Sequence, residues 1–244
     1  MRELGQFEKC IKEGKTKEAM QVCKKNTHTW NWAVWTGDLE IVKWFYENIK
    51  DSSIVDAIDN AARYGHLEVV KWLSKNLKEV QATRAIDSAA DGGHLKVIKW
   101  LHKNRPNDCT YWAMNLAAKR GHLDIVKWLH KHREEGCTVR AMDWAAKENH
   151  LEVVQFLHDN RTEGCTTNAM DWAAENGHVK MVKWLAKNRK EGYTYYANHW
   201  AKKNERYKVE VYLEKRNDLY RDESSFVSYY DMYDEFDSLQ EYDG

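Results

Sequence analysis

Lysine plus arginine and aspartate plus glutamate both total 38 in the 244 residues, so the formal net charge is zero. The length suits one ordinary domain or one repeat array, and nothing approaches the ~18 consecutive apolar residues that a membrane span needs. The balance conceals an asymmetry: residues 217–244 hold nine acids and one base, Arg221, leaving residues 1–216 with 37 bases against 29 acids.

The chain opens on charged residues from Met1 to Cys10, where a secretory leader would need an apolar core. Residues 7–23 then read as a divergent half-repeat around Gly14, and residues 1–28 as a lysine-rich N-terminal cap. From residue 29 to 216 the sequence repeats with a 28-residue step. Aromatics recur at Trp44, Trp72, Trp100, Trp128, Phe156, Trp184 and Tyr212. Glycines recur at Gly37, Gly65, Gly93, Gly121 and Gly177, with Asn149 and Glu205 in the gaps. The next position reads His66, His94, His122, His150 and His178, with Asp38 and Arg206 at the ends, and alanine pairs precede the five inner turns, at 61-62, 89-90, 117-118, 145-146 and 173-174. Such self-similarity marks a stack of supersecondary units.

One repeat shows why the elements form. Thr138 suits an N-cap, and Ala141, Met142 and Ala145 share one face of a first helix. Asn149, like the glycines, supplies a left-handed turn, and a second helix from about 151 to 160 buries Leu151, Val153, Val154, Phe156 and Leu157. A few residues remain to return to the next cap. The result is an antiparallel helix hairpin with short loops. Because the first helices face one another through alanine and the second through bulky side chains, the stack is expected to curve with the first helices on its concave side.

The segments Ala61-Ala-Arg-Tyr-Gly-His-Leu-Glu-Val-Val-Lys-Trp-Leu73 and Ala117-Ala-Lys-Arg-Gly-His-Leu-Asp-Ile-Val-Lys-Trp-Leu129 resemble ankyrin repeats over about residues 29–216. The units are about five residues shorter than the family's ~33, at the place of its β-hairpin finger. The resemblance implies an all-α solenoid of helix pairs with fingers shortened or absent, and a non-catalytic role in binding another protein. The short Trp-rich unit is similar to those of large DNA viruses of amoebae and some protists, which implies a host-interaction protein in the cytoplasm.

Eleven histidines and five cysteines raise a metal site, but ladders advance one repeat at a time and do not converge on one coordination shell. No metal and no cofactor is expected. Cys109, Cys137 and Cys165 form a ladder and not a disulfide framework, which fits a reducing compartment. Asp59, Asp87, Asn115, Asp143 and Asp171 form a column that either floors an acidic groove or accepts hydrogen bonds between repeats; the second reading is preferred. No phosphate loop, nucleophile elbow or His-Glu-x-x-His is present, so catalysis has no residues to rest on. The Trp ladder is read as core.

Recognition belongs where repeats differ. Just after the caps these positions hold Tyr111-Trp112, Arg140, Asn168 and Tyr195-Tyr196; at the other end of the first helices they hold Tyr64, Arg120 and Lys147. These nine residues are the candidate partner surface on a chain expected to be monomeric. Lys43, Lys71, Lys99, Lys127 and Lys183 form an outward basic stripe, which leaves nucleic-acid binding as the alternative and structural self-association as a third reading. The tail, residues 217–244, is expected to be disordered or loosely docked, although Phe226, Tyr229, Tyr230, Tyr233 and Phe236 have the spacing of an amphipathic helix.

Overall fold

Fourteen α-helices in pairs account for almost all regular structure that the computed structural model describes, at residues 30–49, 56–77 and 84–221 with isolated positions before residue 30. The proposed N-terminal cap and most of the tail lie outside the described residues. The first helices are α1 (Trp30–Thr36), α3 (Ala57–Arg63), α5 (Ala85–Asp91), α7 (Trp112–Lys119), α9 (Val139–Lys147), α11 (Asn168–Glu175) and α13 (Tyr195–Lys203). The second helices are α2 (Leu39–Asn48), α4 (Leu67–Asn76), α6 (Leu95–Asn104), α8 (Leu123–His132), α10 (Leu151–Asn160), α12 (Val179–Asn188) and α14 (Tyr207–Glu214). A 3-10 turn, Asn217–Leu219, follows. No strand occurs among the described residues; one isolated bridge joins Tyr193 and Tyr220. The all-helical paired architecture is the one the 28-residue pattern implies.

The chain divides into two compact units, Met1–Cys165 and Thr166–Gly244. In the N-terminal unit α1, α3, α5, α7 and α9 pack in series through alanines with no solvent exposure, such as Ala89, Ala90, Ala117 and Ala118. Small side chains let backbones approach closely, and contacts among the second helices are sparser. The C-terminal unit repeats the arrangement with α11 against α13. The core proper is aliphatic: Val97, Ile98 and Leu101 of α6, then Ile125, Val126 and Leu129 of α8, are sealed from water.

The turn columns behave as their residues require. Gly121 has φ +76°, Asn149 +66° and Glu205 +58°, all in the left-handed region. The histidines reach beyond their own repeat. A Cβ added to Gly121 would lie 2.4 Å from Nδ1 of His150, and the rings of His66, His94 and His122 are seated likewise over Gly37, Gly65 and Gly93. His66 Nε2 also lies 3.1 Å from the Trp35 carbonyl, 31 residues back, and Arg206 at the last step donates to the Glu175 carbonyl across the same interval. Asp38, which stands first in the column, instead caps its own helix by accepting from the Glu40 and Ile41 amides.

The aromatic ladder departs from the core expectation. Trp44 is buried, whereas Trp72, Trp100, Trp128, Phe156, Trp184 and Tyr212 are only half-buried. Three of these rings brace the second helix before them: Trp72 meets Tyr46 edge-on at 5.2 Å, Trp128 meets His102 at 5.2 Å and Phe156 meets His130 at 5.6 Å. The sparse contact between second helices is what leaves these rings open on one side. An asparagine column that the sequence reading passed over supports them. Asn76, Asn104, Asn160 and Asn188 each donate to the ladder residue's carbonyl four positions back, at 2.7–2.8 Å. His132 replaces asparagine in its repeat.

Where a finger would project, the chain makes a short stapled loop. Arg133 pairs with Glu135, Arg161 with Glu163 and Arg189 with Glu191. Against the raising effect of burial, the Arg161 guanidinium and local amides hold the Glu163 carboxyl down at about 2.

Candidate interaction surface

The aspartate column links neighbouring repeats. Asp87 accepts from the amide and hydroxyl of Thr110 at 2.9 and 2.6 Å, and Asp171 from those of Thr194 at 2.8 and 2.7 Å. Asn115 makes the neutral version: its Oδ1 accepts from the Thr138 amide at 2.9 Å while its Nδ2 donates to the Thr138 hydroxyl at 2.9 Å. Every one of these threonines also caps its own helix, as Thr138 does for the Arg140 amide and Thr110 for the Trp112 amide. The interval is 23 residues each time. These carboxylates are therefore joints between repeats and not the floor of a groove.

Burial shapes their titration. It pushes the Asp171 carboxyl up to about 7 and Asp87 to about 6, against the pull of the threonine hydrogen bonds. Asp59 is also raised to about 7, by burial and then by Asp56. A folded-state value above the unfolded one means the contribution to stability is full below about pH 4 and is lost as pH rises through about 7. Asp171→Asn copies the geometry of Asn115 without the charge. It is expected to raise the melting midpoint by roughly 8 °C or more at pH 8, given ~1.4 kcal/mol per pK unit and ~2–4 °C per kcal/mol, and to leave it nearly unchanged at pH 4. An equal shift at both pH values would assign the effect to packing and remove the charge argument.

Three of the nine candidate residues come together. Tyr111, 42% exposed, immediately precedes α7 and its ring lies 5.5 Å from that of Trp112. Trp112 stacks on Trp144 of α9 at 5.7 Å and 26°. The Arg140 guanidinium sits over both indoles, 5.4 Å from Trp112 and 6.0 Å from Trp144, and the Lys119 ammonium lies 5.3 Å from the Trp144 ring. This sandwich is a preset, cationic and aromatic platform on the first-helix side of the N-terminal unit. Lys119 belongs to its open side and the buried Trp144 backs it from beneath, although sequence reasoning had assigned neither to the cluster. The available signal was the step of four from Arg140 to Trp144, which sets both on one helical face.

Tyr64 and Arg120 lie at the opposite ends of the first helices. Tyr64 is 43% exposed beside His66, and Arg120 holds Asp91 at 2.7 Å, with Arg63 at 3.5 Å from the same carboxylate. Lys147 closes α9 half-buried. In the C-terminal unit Asn168 opens α11, its amide bonded to the Thr166 hydroxyl. Tyr195, 49% exposed, bonds His199 Nδ1 through its hydroxyl at 3.0 Å and meets Tyr196 at 6.0 Å. The basic stripe is largely engaged. Lys43 and Lys71 pair with Glu40 and Glu68, while Lys127 and Lys183 lie over the next repeat's Phe156 and Tyr212. Among the described residues no cluster of histidine, cysteine, aspartate or glutamate could hold a metal ion, and no helix is long and apolar enough to cross a membrane.

The sequence matches the family pattern described as "Ankyrin repeats (3 copies)" over residues 30–111, 86–171, 114–196 and 142–219. No curated protein matches the chain. The crystal structure of the human ASB11 ankyrin repeat domain is similar in fold, with a TM-score of 0.50 at 15% identity over 71% of this chain and 91% of that one. With matched segments running almost continuously from residue 30 to 219, the chain belongs to the ankyrin repeat family.

Proposed function

We propose that this protein is a non-catalytic interaction module that binds another protein through the first-helix side of its repeats, with Tyr111, Trp112 and Arg140 as the centre of the contact and the buried Trp144 as their support. Ankyrin repeats are typically protein–protein interaction modules, and the observation that carries the placement is the stacked indole pair under Arg140. Side chains of these types dominate binding hot spots, and a platform already ordered before binding loses little entropy on complex formation. Tyr64, Arg120 and Lys147 on the N-terminal unit, and Asn168, Tyr195 and Tyr196 on the C-terminal unit, are proposed as further contacts of their own units. The short, Trp-rich repeat supports a further reading of the chain as a viral or protist protein that acts on a host partner in the cytoplasm.

Proximity capture from the native cell, comparing the intact chain with Tyr111→Ala/Trp112→Ala, tests the placement. Loss of a hot-spot pair costs ~2 kcal/mol or more, so captured partner should fall by at least ~30-fold while the helical circular dichroism stays intact. An unchanged partner set would sink the surface. Retention on generic nucleic acid that disappears steeply with added salt would favour the basic surface instead.

A further inference from the structure

The first-helix side of the N-terminal unit is not uniform in charge. On α7 and α9, with the residue that follows each, the bases are Lys119, Arg120, Arg140 and Lys147, and the acids are Asp143 and Glu148. Asp143 is sealed from water at 1% exposure, which leaves Glu148 as the exposed carboxylate of this helix pair. Arg120 is already bound to Asp91. Repeat spacing gathers the other cations. Trp112 and Arg140 stand at the same position of successive repeats, as do Lys119 and Lys147, and a step of seven sets each lysine on the face of the residue that opens its helix.

The indoles concentrate that charge. The Arg140 guanidinium at 6.0 Å and the Lys119 ammonium at 5.3 Å share the Trp144 ring, so two cations converge on one buried indole. Burial, and then the neighbouring Arg120, push the Lys119 ammonium below its ordinary range, with Lys147 adding to the effect against the pull of Asp91 and Glu148. An incoming anion relieves cations crowded in this way. A guanidinium laid over a ring presents its N–H donors in its own plane, the geometry that a carboxylate meets in a fork. Tyr111, 42% exposed, stands beside them and offers an apolar ring to the segment that carries the carboxylate. Trp112 already meets Trp144, Tyr111 and Arg140, which leaves a nucleic-acid base little of its face for stacking.

We infer that the partner presents an acidic peptide segment to this platform, with carboxylates that reach Arg140 and the Lys119–Lys147 pair while a neighbouring apolar side chain packs on Tyr111. The inference rests on the contact being centred at Tyr111, Trp112 and Arg140. Complementary charge governs encounter and rejects wrong partners more than it sets raw affinity, because a basic segment would meet like charge here. The platform therefore selects by sign of charge, and the aromatic pair supplies the hold. Lysines of the second helices are not part of it: Lys71 pairs with Glu68, and Lys127 lies over Phe156.

Selection of a displayed random peptide library on the full chain, with excess free Tyr111→Ala/Trp112→Ala chain as competitor, reads the sign directly. Surviving peptides should carry Asp plus Glu at least ~3-fold above the unselected library, and a synthetic copy of one should bind at least ~10-fold more weakly to Arg140→Gln while Lys99→Gln leaves it unchanged. Selection on Arg140→Glu/Lys119→Glu should enrich Lys plus Arg instead, a gain that an unfolded chain cannot produce. Surviving peptides without acidic enrichment would overturn the inference and leave the surface in place. If no peptide distinguishes the intact chain from Tyr111→Ala/Trp112→Ala, the surface itself falls, and the inference with it. A thymidine oligonucleotide bound more tightly than any selected peptide, and lost in Arg140→Gln, would also overturn it, because the ligand would then be nucleic acid.

Discussion

Asn115→Leu is expected to lower stability by about 1–3 kcal/mol, a fall of several degrees in the melting midpoint at ~2–4 °C per kcal/mol. Asn115 has no solvent exposure, and its amide satisfies both the backbone N–H and the hydroxyl of Thr138. Leucine has similar volume, so the loss is one of hydrogen bonds: the Thr138 amide would lose its acceptor. Asn115→Asp separates this account from simple packing. That variant should stay close to the parent at pH 4 and fall below it at pH 8, since burial in this column holds carboxyls well above their ordinary range. Thermal melts of both variants at the two pH values give the answer. A leucine variant as stable as the parent would show that the column is not a joint between repeats.

Gly121→Val is expected to cost about 2 kcal/mol or more. The residue sits at φ +76°, where a β-branched side chain is strained by roughly 1–3 kcal/mol. The new Cβ would also lie 2.4 Å from the ring of His150, which would have to leave its seat on the turn. Two causes can be told apart with Gly121→Val/His150→Ala. If the histidine clash dominates, the second change recovers part of the loss; if backbone strain dominates, it adds to it. Urea unfolding with an unchanged slope would measure both. A Gly121→Val chain with the parent's midpoint would remove the argument that this turn needs a residue without a side chain.

Much of this protein is set by local chemistry. Lys-, Glu-, Ala- and Leu-rich segments without proline favour helix, threonine starts the first helices from α7 onward, a left-handed residue ends them, and the aliphatic spacing of Ile125, Val126 and Leu129 selects the buried face of α8. All of that repeats every 28 residues and lies within a single repeat. What local chemistry did not reveal is how repeats meet. Whether Trp128 is core or half-exposed depends on how closely α6 and α8 approach. That the His150 ring covers Gly121 and Asp87 binds Thr110 depends on the offset between successive hairpins. The Trp112–Trp144 sandwich likewise arises only when α7 and α9 pack side by side and bring residues 32 apart in sequence into stacking contact. Hydrophobic period and capping reside in the order of residues along one helix pair, so the sequence by itself determined the elements, their turns and their buried faces. Contacts across a repeat boundary depend on a separation set by side chains of both neighbours, and only the packed stack decided them.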